Sequence, residues 1–343
     1  MLDRLLAFSY VLPLRMTGDE RTRHELAQYL GRLSRCCDDV IVVDGSAPDV
    51  FADNGRAWPA RLRHLAPDPE HASLMGKVAG VLTGIDAARH ESVVLADDDV
   101  RYEIPELMRV LELLNRYDLV RPQNYFSPHP WHALWDTSRT LINRAIGGDF
   151  PGTLGLRRST LQAIGGYDGN VLFENLELIR TIEANGGMIA CPLDLYVRRL
   201  PPDAAHFLGQ RTRQAYDDFA IPPRMAAWLS VVPLLSFSLL RGRPRGVLVL
   251  AGGSILIAET GRRRAGGAAV FPFVSSLLAP CWVLERSACS WLAVLQRLRY
   301  GGVRYGDSII PVAAHSRGYL RRSAVARSSE SKSSVRGTAV GVG

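Results

Sequence analysis

Residues 91–100, Glu-Ser-Val-Val-Leu-Ala-Asp-Asp-Asp-Val, constrain the fold of this chain more than any other stretch. An apolar run of strand length ends abruptly in three adjacent carboxylates. Burying unpaired negative charge is costly, so the cluster belongs at the exposed end of a buried strand, facing a cation. If the strand continued, Asp97 and Asp99 would point to one side and Asp98 to the other. That suits a hard divalent ion carrying phosphates, because Mg²⁺ and Mn²⁺ prefer oxygen ligands and need few protein carboxylates. The competing reading is an acidic turn that caps a helix over Ile104–Asn115.

The flanking sequence has a repeating pattern. Leu5–Leu14 reads as a buried strand ending near Pro13, and Thr22–Leu33 has helical spacing through Leu26, Tyr29, Leu30 and Leu33. Val40–Asp44 is a second buried strand ending in a carboxylate, followed by a Gly45/Ser46/Pro48 turn. Arg61–Leu65 reads as a short third strand, and Gly76–His90 as a helix leading into the opening strand. Alternating elements with apolar, non-alternating strands imply a mainly parallel α/β sheet covered on both faces. Ligands then bind at the carboxyl ends of the strands, where Pro13, Arg15, Asp44 and Asp97–Asp99 fall.

Lys77 adds a separate clue. The chain has only two lysines, Lys77 and Lys332, against 39 arginines. A compact ammonium at a helix start suits a diphosphate or ribose contact too narrow for a guanidinium, although a surface Lys would look the same. Further on, Asp118–Tyr125 reads as a strand. His129-Pro130-Trp131-His132 reads as an acceptor-side loop or plain packing, since no third metal-type ligand is near. Asp136–Ile146 reads as a helix, and the Gly147–Thr153 turn brings the acidic Asp149 close to any ligand. After a Gly165-Gly166-Tyr167 turn, Phe173-Glu174-Asn175-Leu176-Glu177-Leu178 opens an amphipathic helix, and Gln210-Arg211-Thr212-Arg213-Gln214 follows.

Taken in order, these segments resemble the inverting family 2 glycosyltransferases of GT-A fold, over about residues 5–220. The resemblance rests on Pro13, Asp44-Gly45-Ser46, Gly76-Lys77, Asp97–Asp99, Gly165–Tyr167, the Glu174 helix start and the Gln-Arg-x-Arg segment. It implies a nucleotide pocket lined by Pro13, Arg15 and Asp44, with Asp44 hydrogen-bonding the base. Lys77 and Asp97 would flank the nucleotide, Asp98 would lie near the sugar, and Asp99, with Asp97, would ligate Mg²⁺ or Mn²⁺ on the diphosphate. Gln210, Arg211 and Arg213 would serve the acceptor and diphosphate side. The implied donor is a UDP-, GDP- or dTDP-sugar, and the implied chemistry is in-line displacement at the anomeric carbon.

Two departures bear on mechanism. The family's usual base is the Asp of a Glu-Asp pair, and this chain has Asn175 there. An amide accepts no proton at neutral pH, so Glu174 is the first candidate base and Asp149 the second; an ionised phosphate acceptor would need none. Gln214 stands where processive members carry Trp, which favours single transfer over polymerisation. A catalytically silent nucleotide-sugar-binding membrane protein is the alternative reading. A nucleotidyltransferase is disfavoured, because Pro13–Asp19 offers only Gly18 where a Gly-rich phosphate loop is needed.

The C-terminal third differs in character. Net charge is +7, and the basic excess lies wholly beyond residue 224, with no nucleic-acid-binding motif. Met225–Leu240, Gly246–Ala258 and Ala268–Leu284 are apolar, but the longest would span only about 25 Å as a helix, short of a ~30 Å hydrocarbon core. Basic linkers at Arg241–Arg245 and Arg262–Arg264 oppose three regular spans, so a re-entrant hairpin or interfacial helices are favoured over a second soluble core. The expected organisation is a GT-A domain over 1–222, membrane-associated helices over 223–300, and a basic Ser/Arg-rich tail over 301–343, disordered from about 316. The five cysteines show no C-x-x-C spacing and fit a reducing compartment. The N-terminal apolar stretch reads as a strand rather than a signal peptide. The expected location is the cell membrane, with the catalytic domain cytoplasmic and a lipid-linked or glycan acceptor.

Overall fold

The computed structural model describes residues 5–17, 19–306 and 308–325. Strands β1 (Leu6–Leu14), β2 (Cys37–Asp44), β3 (Arg63–Leu65) and β4 (Ser92–Ala96) run parallel, in the order β3-β2-β1-β4. They alternate with helices α1 (Glu20–Leu33), α2 (Pro48–Ala57) and α3 (Gly76–Ala87). Successive residues of β1 enter opposite cores, Val11 on one face and Tyr10 and Leu12 on the other. A strand buried on both faces gains nothing from polar alternation, which is why its sequence is continuously apolar. Gly84 permits the close packing of α3 on the sheet: a Cβ there would lie 2.2 Å from Val11 Cγ1.

Beyond β4 the chain forms β5 (Val100–Arg101), α4 (Ile104–Leu114), β6 (Leu119–Val120), β7 (Gln123–Phe126), α5 (Trp131–Ile146) and β8 (Thr153–Arg157). Then come α6 (Arg158–Ile164), α7 (Glu174–Ala184), β9 (Ile189–Ala190), β10 (Tyr196–Arg199) and α8 (Ala204–Tyr216). The main sheet has seven strands in the order β3-β2-β1-β4-β8-β6-β9, with β8 antiparallel to both neighbours. A smaller sheet, β5-β10-β7, crosses the carboxyl end of β4.

Three elements differ from the sequence reading. The turn expected after Asp44 contains a helix, α2, with Pro48 in its first turn, where its missing N–H costs nothing. The strand expected over Asp118–Tyr125 is two strands in different sheets, broken at Arg121-Pro122, because Pro122 offers no ladder donor. Helix α5 starts at Trp131, five residues before the expected Asp136.

The C-terminal helices are α9 (Pro222–Leu240), α10 (Arg245–Arg263), α11 (Phe273–Leu277) and α12 (Ala279–Tyr300). The third expected apolar segment, Ala268–Leu284, is not one helix: a 3₁₀ turn ends at Ala269, α11 starts only after Pro272, and α12 begins at Ala279. These helices share a core with α5, formed by Leu141, Ile142, Ala258, Phe271, Trp282 and Val283. A Cβ at Gly261 would lie 1.8 Å from Leu141 O, so α10 lies tight on α5.

The expected tail is also partly structured. Strands β11 (Val303–Tyr305) and β12 (Ser308–Ile310) form a hairpin, and Leu172 N and Phe173 N donate to Val312 O and Ala313 O. His315 bonds Glu177 through its backbone N and its ring Nδ1, both at 2.8 Å. Disorder from about 316 is corrected over 317–325, which are helical with Leu320 and Ala324 buried. Two apolar residues four apart provide a helix face that the basic composition had obscured. Residues 326–343 lie outside the described residues.

Candidate active site

Strand β4 ends at Ala96, and a tight turn closed by Val100 N donating to Asp97 O carries the three carboxylates. The capping alternative fails on geometry. Helix α4 has its own capping box, in which Glu103 and Glu106 each accept from the other's backbone N–H. The strand does not continue, so alternation does not apply, but the turn brings Asp97 and Asp99 to one side, where both reach Arg199 at the end of β10. Arg199 Nε lies 2.8 Å from Asp99 Oδ2, and its terminal nitrogen lies 3.4 Å from Asp97 Oδ2.

On its other side Asp97 Oδ1 lies 2.6 Å from Lys77 Nζ, which is also 2.7 Å from Glu174 Oε1. The result is a row of alternating charge, Glu174–Lys77–Asp97–Arg199–Asp99. Burial opposes the charge on Lys77, but Asp97 and Glu174 outweigh it and hold the ammonium firmly protonated. The same balance, with Asp99 and Asp97 as partners, keeps Arg199 charged. Burial raises Asp99 against the pull of Arg199. Crowding by the surrounding protein, then the charges of Asp99 and Asp97, raise the carboxyl of Asp98, which keeps an exposed surface.

Asp99 Oδ1 is buried and has no hydrogen-bond partner among the described residues. A buried carboxylate oxygen without a donor is costly and awaits a ligand. No group of three or more His, Cys, Asp or Glu side chains is arranged to hold a metal among those residues. The donor set, one available oxygen with its neighbours paired, fits an ion that draws most ligands from water and phosphate.

The other expected site residues divide. Pro13 is buried beyond the last β4-paired residue of β1, with Gly80 packed against it, and Arg15 is exposed and carries no ion pair among the described residues. Asp44 stands at the expected strand end but is only 1% exposed. Its oxygens accept from Ser46 N, Asn54 Nδ2 and His64 Nε2. It therefore ties the end of β2 to α2 and β3.

Asp149, the second candidate base, is 3% exposed and accepts from Arg139, Asn143 and Thr140, so its carboxylate is held within the protein's own hydrogen-bond network. Glu174 remains available, since Oε2 carries no hydrogen bond among the described residues while Oε1 takes Lys77. Asn175 donates to Pro151 O, which anchors the turn below the carboxylates.

Gln210, expected on the acceptor side, and Gln214 line an open cleft with Asp99, His132, Arg139 and Arg199. Arg211 does not line it. Its guanidinium is consumed by Asp136, Gln214 and Glu285, bracing α8 against α5 and α12. Arg213 lies two residues on, so it leaves the opposite side of α8 and stacks over Tyr305. Both are corrected from diphosphate ligands to packing residues.

Sequence reasoning missed Arg199 and Arg139. Neither sits in a recognisable motif, though Tyr-Val-Arg-Arg-Leu reads as a strand end, and strand ends are where ligands gather in such sheets.

No protein-family model matches the sequence, and no curated protein matches it. Among solved structures, the chain is similar to a mannosyltransferase from Pyrobaculum calidifontis in complex with GDP-Man and Mn²⁺. Identity is 16% and the TM-score 0.50, covering 86% of this chain and 88% of that one. Lower likenesses, both at TM-score 0.39, reach mannosyl-3-phosphoglycerate synthase from Rubrobacter xylanophilus and glucosyl-3-phosphoglycerate synthase from Mycobacterium tuberculosis. Identities there are 18% and 19%, covering 60% and 59% of this chain and 70% and 75% of those. The chain has the GT-A fold, a mainly parallel sheet flanked by helices.

Proposed function

We propose that the chain is an inverting, metal-dependent glycosyltransferase that moves a single sugar from a nucleotide-sugar donor to a lipid-linked or cell-envelope acceptor. The observation that carries this reading is the pair Asp97 and Asp99 at the carboxyl end of β4, with Asp99 Oδ1 buried and unpartnered among the described residues. A divalent ion, Mg²⁺ or Mn²⁺, held by Asp99 and Asp97 would neutralise charge on the leaving diphosphate. Lys77 is placed to orient the nucleotide side of that diphosphate. Glu174, through Oε2, accepts the acceptor hydroxyl's proton as the sugar–oxygen bond forms. Gln210 with the cleft beside it receives the acceptor.

The apolar surface that α9–α12 leave bare supports membrane attachment. Helix α9 is long and apolar enough to cross a membrane, with a mean hydropathy of 1.4. Leu234, Phe237 and Leu240 are exposed on it, as are Leu248 and Val249 on α10 and Leu295 and Leu298 on α12. Arg241, Arg243 and Arg245 between α9 and α10 suit an anionic cytoplasmic leaflet.

The silent binder remains the second reading, favoured by Asn175 at the expected base position and by the Lys77–Glu174 pair. Purified protein separates the two. Mn²⁺-dependent hydrolysis or transfer from a panel of UDP-, GDP- and dTDP-sugars, lost on EDTA treatment and in Asp99→Ala, supports the enzyme. Metal-dependent nucleotide binding without turnover supports the binder.

A further inference from the structure

Arg199 occupies a place that a metal site at Asp97 and Asp99 would give to another cation. Both oxygens of Asp97 are committed, Oδ1 to Lys77 and Oδ2 to Arg199, and Arg199 also takes Oδ2 of Asp99. Of this pair, a divalent ion arriving alone would find one uncommitted oxygen, Asp99 Oδ1, beside a fixed positive charge. Like charges at such distances repel strongly in a partly buried site. Removing Arg199 with nothing in its place would instead leave Asp99 without a counter-charge and Asp97 with Lys77 alone.

The fold holds this arrangement close. Gly152 lies against the pair, and a Cβ there would be 2.6 Å from Asp97 Oδ2 and 3.1 Å from Arg199 Cζ. Arg199 also borders the open cleft shared with Arg139 and Gln210, so its side chain has space to turn into. A nucleoside diphosphate supplies what the bare metal lacks: anionic oxygens for the displaced guanidinium, in the bidentate geometry Arg favours.

We propose that Arg199 is a resident counter-cation that makes metal binding conditional on the nucleotide diphosphate. It guards Asp97 and Asp99 in the ligand-free protein and transfers to diphosphate oxygens as the ion is seated. Metal and nucleotide are thereby coupled, each raising the other's affinity by the same factor. Arg199 is a positioning residue, and the inference rests on the metal-site reading of Asp99.

The test is a titration of the full chain with Mn²⁺ alone, then with Mn²⁺ in the presence of UDP or GDP, read by water-proton relaxation enhancement. The expected wild-type result is weak binding of Mn²⁺ alone, tightening at least tenfold with the better nucleotide. Arg199→Gln should bind Mn²⁺ alone at least tenfold tighter than wild type and lose most of the nucleotide-dependent gain. Arg199→Lys preserves a cation and the fold, and should keep Mn²⁺ affinity within about threefold of wild type. Unchanged or weaker binding of Mn²⁺ by Arg199→Gln, or a tenfold gain in Arg199→Lys, overturns the proposal. Nucleotide-dependent Mn²⁺ binding that survives Asp99→Ala overturns the metal-site reading itself, which keeps the two failures apart.

Discussion

Lys77 and Glu174 stand 97 residues apart in sequence, yet their Nζ and Oε1 atoms are 2.7 Å apart. The pair ties the start of α3 to the start of α7 and aligns the expected donor side with the expected base. Because Lys77 engages only Oε1, the second oxygen is the one that can act on an acceptor. Glu174→Gln should lower kcat by about 10²–10⁴ with donor KM little changed. Steady-state kinetics check this, and an unchanged rate removes Glu174 from the mechanism.

Gly152 lacks a side chain for a steric reason at the same site. Gly152→Ala should push Asp97 and Arg199 apart and reduce turnover by about tenfold to a hundredfold, since displacements under an ångström misalign reacting groups. Circular dichroism and kinetics on one preparation separate this from unfolding.

Arg211 is a strut. It is buried against Asp136 and Glu285, and its removal strands both carboxylates. Arg211→Ala should cost about 3–5 kcal/mol of stability. Thermal or denaturant unfolding reads it. A stable variant with selectively lost donor binding would restore Arg211 to the diphosphate side.

Asp217 gives a pH signature. Burial, then the neighbouring Asp218, pushes its carboxyl from 3.8 up to about 8. A raised carboxylate favours the folded state while protonated, so this contribution is full below about pH 4 and is lost as pH rises through about 8. Asp217→Asn keeps the neutral form at every pH. Its Tm should match wild type near pH 4 and exceed it increasingly as pH rises through about 8. Equal Tm values across that range would show that Asp217 ionises without penalty.

Leu234 and Phe237 lie on the bare face of α9, 64% and 56% exposed. Replacing both with Asp should change thermal stability by less than about 1 kcal/mol, as exposed sites do. Flotation with vesicles containing anionic lipid should fall at least about tenfold, because each side chain contributes about 1.5–3 kcal/mol on burial. Undiminished flotation would move the attachment elsewhere on the protein.

The strands that carry the site were legible in the sequence because both faces of β1, β2 and β4 are buried. A strand covered on both sides must be apolar throughout, so its end is marked where Pro13, Asp44 or Asp97–Asp99 interrupts the run. Local chemistry could also separate α1 and α4 from their neighbours, through the spacing of Leu26, Tyr29, Leu30 and Leu33 and the Glu103–Glu106 box.

Tertiary structure alone decided which carboxylates are available. Asp44 and Asp149 look as open in sequence as Asp99 does, but Asn54 and His64 claim one and Arg139, Thr140 and Asn143 claim the other. Arg199 shows the converse, reaching Asp97 and Asp99 only because β10 pairs with β5 directly after the acidic turn. Residue type and strand end are local properties, written in the order of the chain. Hydrogen-bond saturation depends on how the elements pack, whether the partner is nearby in sequence, as Asn143 is to Asp149, or far off, as Arg199 is from Asp99. It is what separates a ligand from a strut.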